Sequence, residues 1–228
     1  MMATTKVSAA EGPSVRDRIL SEAMHLAAAR GFEATSIQAI ADAVGIRKQS
    51  LLYHFSSKEL LHEKLIEELV SGWNEVLPGV MLAASNGRGR FEAVIRAVVE
   101  FFAAEPDRAR LLLREVLDRP EEMRRVLNHH SQVWSAVIRD YIKEGQELGS
   151  VDPALDPETY ILHIATLVVS GLATFGTMSA FLRSEHGGEE RTELERYVDE
   201  MMRIAQRSLF LPRPKKQIDV DAVQRPSL

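Results

Sequence analysis

Residues 35–58 read TSIQAIADAVGIRKQSLLYHFSSK, and this stretch decides the fold. Apolar spacing predicts a short helix at about 36–43, a turn at Val44-Gly45-Ile46 and a second short helix at about 47–54. Thr35 is expected to cap the first helix, with Gln38 closing a capping box. Gly45 supplies the backbone angle that a tight turn requires. Ile37, Ile40, Ala41, Ile46 and Leu51 are placed to pack the pair together, and the small Ala41 lets the helices approach closely. Two short helices joined in this way form a helix-turn-helix unit. The residues left over are Arg47, Lys48, Gln49, Ser50, Tyr53 and His54, a dense set of hydrogen-bond donors. Arg forks onto guanine and Gln onto adenine in the major groove. Lys, Ser, Tyr and His suit phosphate oxygens, as do free amides at helix N-termini near Thr35 and Ser57. Lys58 stands ready to add one more clamp.

Outward from this unit the chain reads as helix throughout, so the fold class is all-α, with nine helices. Helix 1 is expected at about 14–30, with Ser14 and Asp17 at its start and Gly31 at its end. Helix 4 follows at about 57–77, opened by Ser56 and Glu59 and ended or kinked by Pro78-Gly79. The loop Ser85-Asn86-Gly87-Arg88-Gly89 is the clearest internal break. Further helices are expected at about 90–104, 106–118, 121–147, 157–183 and 190–210. The domains are then 13–73 for the helix-turn-helix head (the unit itself at 36–55), 74–211 for a body, and 212–228 for a disordered tail.

Composition narrows the function. The chain has 228 residues, 45% hydrophobic, with a net charge of −5 and no Cys. It carries enough apolar material for a packed core, and no disulfide, thiol nucleophile or Cys-bound metal is available. The charge is uneven: residues 1–64 hold 8 Lys/Arg against 7 Asp/Glu, and residues 65–228 hold 20 against 26. That asymmetry fits a head that meets phosphate and a body that does not. The opening residues do not read as a secretory signal. Thr159–Leu182 carries no Asp, Glu, Lys or Arg, long enough to span a bilayer. His163, Thr166, Ser170, Thr174 and Thr177 nevertheless form a small-polar stripe along it, which favours a helix buried on two faces in a soluble assembly.

The pattern from Ile19 to Leu65 resembles the tetracycline-repressor (TetR) family of bacterial transcription regulators. It comprises Ile19-Leu20 and Ala23, Gly31-Phe32, Thr35-Ser36-Ile37, Ile40-Ala41 with Ala43 and Gly45-Ile46, then Leu51, Tyr53-His54-Phe55 and Ser57-Lys58-Glu59 with Leu61. The resemblance implies a cytoplasmic homodimer whose N-terminal heads bind double-stranded operator DNA. It carries DNA contact onto Thr35, Ser36, Arg47, Lys48, Gln49, Ser50, Tyr53, His54 and Lys58. The chain departs from the family in having Arg47, Gln49 and Leu52 where Ser, a small residue and Tyr are common.

The resemblance further implies dimerisation through helices 8 and 9, the latter presenting Leu194, Tyr197, Val198, Met201, Met202, Ala205 and Leu209. It also implies a small-molecule pocket among helices 4 to 8. Candidate wall residues are Phe101, Phe102, Met123, Leu127, His130, Trp134, His163, Thr166 and Met178, which suit a mainly apolar effector. No cofactor and no metal site is expected. The reading is a ligand-switched repressor rather than an enzyme. The alternatives are a small helical enzyme using His130 or His163 as base, which lacks a paired nucleophile or metal motif, and a membrane-anchored helical protein.

Overall fold

The computed structural model describes residues 12–83, 87–182 and 192–211. Among them are nine α-helices: α1 (Val15–Arg30), α2 (Ile37–Val44), α3 (Lys48–His54), α4 (Lys58–Ala83), α5 (Gly87–Ala104), α6 (Pro106–Asp118), α7 (Pro120–Glu147), α8 (Pro157–Met178) and α9 (Glu193–Leu209). A short 3-10 turn, Ser179–Phe181, follows α8. The described residues contain no strand, only an isolated antiparallel bridge between Val151 and Phe210. The expected tail at 212–228 and the separator Glu185–Gly188 lie outside the described residues.

Local signals explain most boundaries. The Ser14 hydroxyl accepts from the Asp17 amide at 3.2 Å, and the Asp17 carboxylate accepts from the Ser14 amide at 3.1 Å. Gly31 ends α1 at φ 85°, and Gly45 ends α2 in the left-handed region at φ 76°. Three boundaries differ from the sequence reading. Ser36, not Thr35, caps α2, accepting from the Ala39 amide at 3.1 Å, while Gln38 turns to Asp42 at 2.7 Å. Ser57, not Ser56, opens α4, accepting from the Leu60 amide at 3.1 Å. The helix α4 runs through Pro78-Gly79 to Ala83; a proline removes a single rung, and the turns on either side hold the helix.

Two apolar clusters divide the chain. The first joins Ile19, Leu20, Ala23 and Ala27 of α1 to Ile40, Ala41, Leu51, Phe55, Leu61 and Leu65, and takes in Leu111 of α6 and Met123 of α7. The second joins Phe91, Ile95, Val99 and Phe102 of α5 to Tyr160, Val168 and Leu172 of α8 and Met201, Ala205 and Leu209 of α9. Phe101 packs against both. The helix α6 packs on α1 and on α8, so it joins the two halves.

Candidate nucleic-acid interface

The helix α3 has seven residues and buries one of them fully. Leu51 is 0% exposed and locks the helix onto α1 and α2. Around it Arg47, Lys48, Gln49 and Ser50 are exposed, His54 and Leu52 are half-buried, and Tyr53 is 87% exposed. A large aromatic left this open on a short helix is unusual for a residue that only packs. Tyr53 stands edge-on to His54 with ring centroids 5.5 Å apart. Arg47 occupies the cap position with no side-chain cap bond, so its guanidinium is not used to close the helix. Arg47, Lys48, Gln49, Ser50 and Tyr53 therefore share one protruding element whose backbone is fixed from below.

Two of the expected contact residues are engaged inside the protein. Thr35 is 0% exposed, and its hydroxyl donates to the Gly31 carbonyl at 2.9 Å. It ties the α1–α2 connection and has no surface to offer a phosphate, which corrects its expected role. Lys58 is partly covered: its ammonium donates to the Glu33 carbonyl at 2.9 Å, lies 3.8 Å from the Glu33 carboxylate and sits 5.2 Å from the centre of the Phe32 ring. Ser36 remains exposed at the α2 N-terminus.

Beside Lys58 lies a polar junction that the sequence reading missed. His62 and Glu115 are both buried, with His62 Nε2 2.9 Å from Glu115 Oε2. Arg119, between α6 and α7, donates to His62 Nδ1 at 3.4 Å and to Glu122 at 3.3 Å, and pairs with the Glu33 carboxylate. Along the same helix Arg114 donates to the Ala28 and Ala29 carbonyls at 2.9 and 3.1 Å, closing the C-terminus of α1. At the other end His25 of α1 lies 2.7 Å from Asp107. The first-turn Glu59 carboxyl is held below the usual range by its own backbone amide first, then by the Ser57 hydroxyl, with Lys58 and Arg119 adding their charge. The signal for His62 was present in the sequence: it interrupts the apolar stripe of Leu61, Leu65 and Leu69, and a buried imidazole needs partners.

Residues 19–65 match the family model described as bacterial regulatory proteins, tetR family, and residues 84–171 match the tetracyclin repressor-like C-terminal domain. The chain belongs to the TetR family. It is a DNA-binding transcriptional regulator. The transcriptional repressor KstR2 of Rhodococcus jostii is 27% identical over 149 residues, covering 61% of this chain and 71% of that protein. The negative regulator of the biofilm operon icaADBC, IcaR, of Staphylococcus epidermidis is 23% identical over 147 residues, 64% of this chain and 76% of that protein. Among solved structures, the ketosteroid transcriptional regulator KstR2 of Mycobacterium tuberculosis superposes with a TM-score of 0.68 at 18% identity, covering 90% of this chain and 99% of that one. The fatty acid degradation regulator FadR of Bacillus halodurans gives 0.67 at 16% identity, covering 86% and 96%. These structural likenesses show the fold.

TetR-family regulators are dimeric and bind small-molecule effectors through their bodies. In this body Phe101, Leu127, His130 and Trp134 are partly buried, while Phe102 and Met123 are fully buried, one in each cluster. The structure does not bring His163, Thr166 or Met178 to that wall. All three are exposed, with Met178 at 52%. The reason is helical phase: Tyr160, Val168 and Leu172 point inward, so His163, Thr166 and Thr177 point out. The small-polar stripe is thus the outer face of α8. Its neighbours Leu162 and Phe181 are 63% and 82% exposed. The two helices expected at the dimer face differ here. In α9 the apolar residues Leu194, Tyr197, Val198, Met201, Met202, Ala205 and Leu209 pack into this chain's own second cluster.

Proposed function

We propose that this TetR-family regulator is an operator-binding repressor whose affinity is set by a mainly apolar small molecule held in the body. Residues 13–73 form the head and 74–211 the body, with α4 shared between them. Supporting the DNA assignment is one observation above others: α3 drives Leu51 into the core and leaves Arg47, Lys48, Gln49, Ser50 and Tyr53 outside. Arg47 and Gln49 read base edges. Lys48, Ser50, Tyr53, His54, Ser36 and Lys58 hold phosphates and fix the register. Repression, rather than activation, is supported by the relatives KstR2 and IcaR, both named as repressors or negative regulators.

The effector site lies along α5 and α7, where Phe101, Leu127, His130 and Trp134 are incompletely buried. An apolar ligand there meets aromatic rings and one imidazole able to orient it. The second subunit covers α8 and the turn after it, where Thr166 and Thr177 are small enough for close helix packing and Leu162 and Phe181 stand exposed. The protein works in the cytoplasm, beside its DNA. In a dimer the two α3 helices must enter successive major grooves, about 34 Å apart on B-DNA. A ligand that prefers another spacing weakens binding through a coupling free energy of about 1–3 kcal/mol.

The test is a binding titration on a duplex selected by the wild-type protein from a random pool. Gln49→Ala should change the preference at one base position in each half-site. A uniform loss across sequences would remove the base-reading role. Sedimentation should give a dimer at micromolar protein; a monomer would remove α8 as an interface, and solubility only in detergent would favour lipid as its cover.

A further inference from the structure

The position of Glu33 has a consequence beyond packing. Its carboxylate lies between two cations that belong to different halves of the molecule. One oxygen is held by the Arg119 guanidinium, from the turn between α6 and α7. The other lies 3.8 Å from the Lys58 ammonium, at the start of α4. Lys58 meanwhile donates to the Glu33 main-chain carbonyl, so it is tethered beside this carboxylate without forming a close pair with it. Both cations flank the ring of Phe32, Lys58 at 5.2 Å and Arg119 at 5.8 Å from its centre, and Phe32 is buried.

Arg119 is itself positioned by the body. Its guanidinium donates to Glu122 at 3.3 Å and to His62 at 3.4 Å, and its Nε lies 3.9 Å from the buried Glu115 carboxylate. Glu115 is anchored in turn on His62. The place of Arg119 thus follows the corner where α6 meets α7. The Glu33 side chain is 80% exposed and has no such anchor of its own. It is the most exposed member of the trio, within reach of both cations.

We propose that Arg119 is a positioning residue for DNA binding, acting through Glu33 on Lys58. While Arg119 holds the Glu33 carboxylate, Lys58 keeps its charge for a backbone phosphate. When the α6–α7 corner moves away, Glu33 closes on Lys58 and neutralises it. One carboxylate then reports the state of the body as the loss of one phosphate clamp per head. The proposal rests on the reading of Lys58 as a phosphate contact. It predicts a change in the salt dependence of binding, because each lost phosphate contact lowers the slope of log K against log[salt] by about 0.9. Fold stability is a poor readout for it, since exposed ion pairs such as Glu33–Lys58 contribute little to folding.

The experiment measures binding of the full chain to the selected duplex across a salt series, with thermal unfolding checked for each variant. Lys58→Ala should lower the slope by about one unit per head. Arg119→Ala should lower it by a similar amount, and Arg119→Lys should leave it near wild type. Glu33→Gln added to Arg119→Ala should restore the slope, because no carboxylate remains to cover Lys58. Arg119→Ala added to Lys58→Ala should lower it no further. If Arg119→Ala does not fold, Arg119→Gln takes its place. A wild-type slope in Arg119→Ala would overturn the proposal even if affinity falls, since that pattern marks a structural role. A lost slope that Glu33→Gln does not restore would overturn it as well. If Lys58→Ala itself keeps the wild-type slope, the phosphate reading of Lys58 fails, and the proposal with it.

Discussion

The first cluster and the helix α8 solve the burial problem in opposite ways. In the head, Ile19, Ala23, Ala27, Ile40, Ala41, Leu51 and Leu61 are all 0% exposed within a single chain. That core closes within one chain, with Leu111 and Met123 of the body completing it, and what the head leaves outside is a row of donors. In α8, Val168 and Leu172 are buried while Leu162, and Phe181 in the turn that follows, stand open, along a helix that has no Asp, Glu, Lys or Arg between Thr159 and Met178. That helix is long and apolar enough to cross a membrane by length and composition. Its outer surface is therefore unfinished in one chain. The difference separates two kinds of apolar residue: those that make the fold and those that await a partner.

The largest effect is expected at the joint between the two halves. His62→Ala would leave the buried Glu115 carboxylate without its imidazole. Removing one member of a buried ionic pair typically destabilises by about 3–5 kcal/mol. A large drop in the thermal midpoint is expected, and an unchanged midpoint would show that the pair is not formed as described. Next in size is a contrast within the comparison itself. Leu51→Ala empties a fully buried site, for which a loss of about 2–5 kcal/mol is usual. Leu162→Ser alters an exposed site and should leave a monomer's stability within about 0.5 kcal/mol. Its effect should appear instead as a weaker dimer in sedimentation, with a midpoint that becomes more dependent on protein concentration. Equal losses for the two substitutions in the isolated chain would erase the distinction drawn here.

A smaller effect tests how α9 is attached. A Cβ built on Gly171 of α8 would fall 3.1 Å from Tyr197 Cζ and almost on its hydroxyl. The phenol must swing aside, which sets an overpacking cost of about 1–3 kcal/mol against roughly 1 kcal/mol gained by replacing helical glycine. Gly171→Ala should therefore be destabilising by about 1 kcal/mol, the difference between those terms. A stabilised variant would mean that α9 sits further from α8.

The sequence carried the head almost in full because its signals are local. Gly31, Gly45 and Ser14 act within a few residues, and the apolar spacing of α1 to α4 marks the faces that these four helices bury together. The errors there were single-residue shifts at caps, where Thr35 and Ser36, or Ser56 and Ser57, compete with the same chemistry. The body was less legible because its decisive contacts are far apart in the chain. His62 meets Glu115 across 53 residues and Arg119 meets Glu33 across 86. Periodicity shows that α8 has an apolar side, yet it does not say which side α5 and α6 will cover. That is why His163, Thr166 and Met178 were expected at a pocket and were found outside.

The smallest effect concerns how the two regions begin their helices. In the head, α2 is capped by the uncharged Ser36, whereas in the body α8 is capped by Asp156, which accepts from the Thr159 amide at 2.7 Å. The Asp156 carboxyl is held below its ordinary range, first by the Thr159 hydroxyl, then by the Thr159 and Glu158 amides. A carboxyl whose folded pKa is depressed adds stability above its unfolded pKa and loses it as the pH falls through the folded value. Asparagine caps a helix about as well as aspartate but carries no charge to favour at the positive end of the helix. Asp156→Asn should therefore be slightly less stable than wild type at neutral pH, and the gap should close as acid protonates Asp156. Ser36→Ala should lower stability by an amount that does not change over the same acid range, because no proton is involved. A gap between Asp156→Asn and wild type that stays constant from neutral to strongly acid pH would mean that charge has no part in starting α8, and that the two regions cap their helices by the same neutral hydrogen bond.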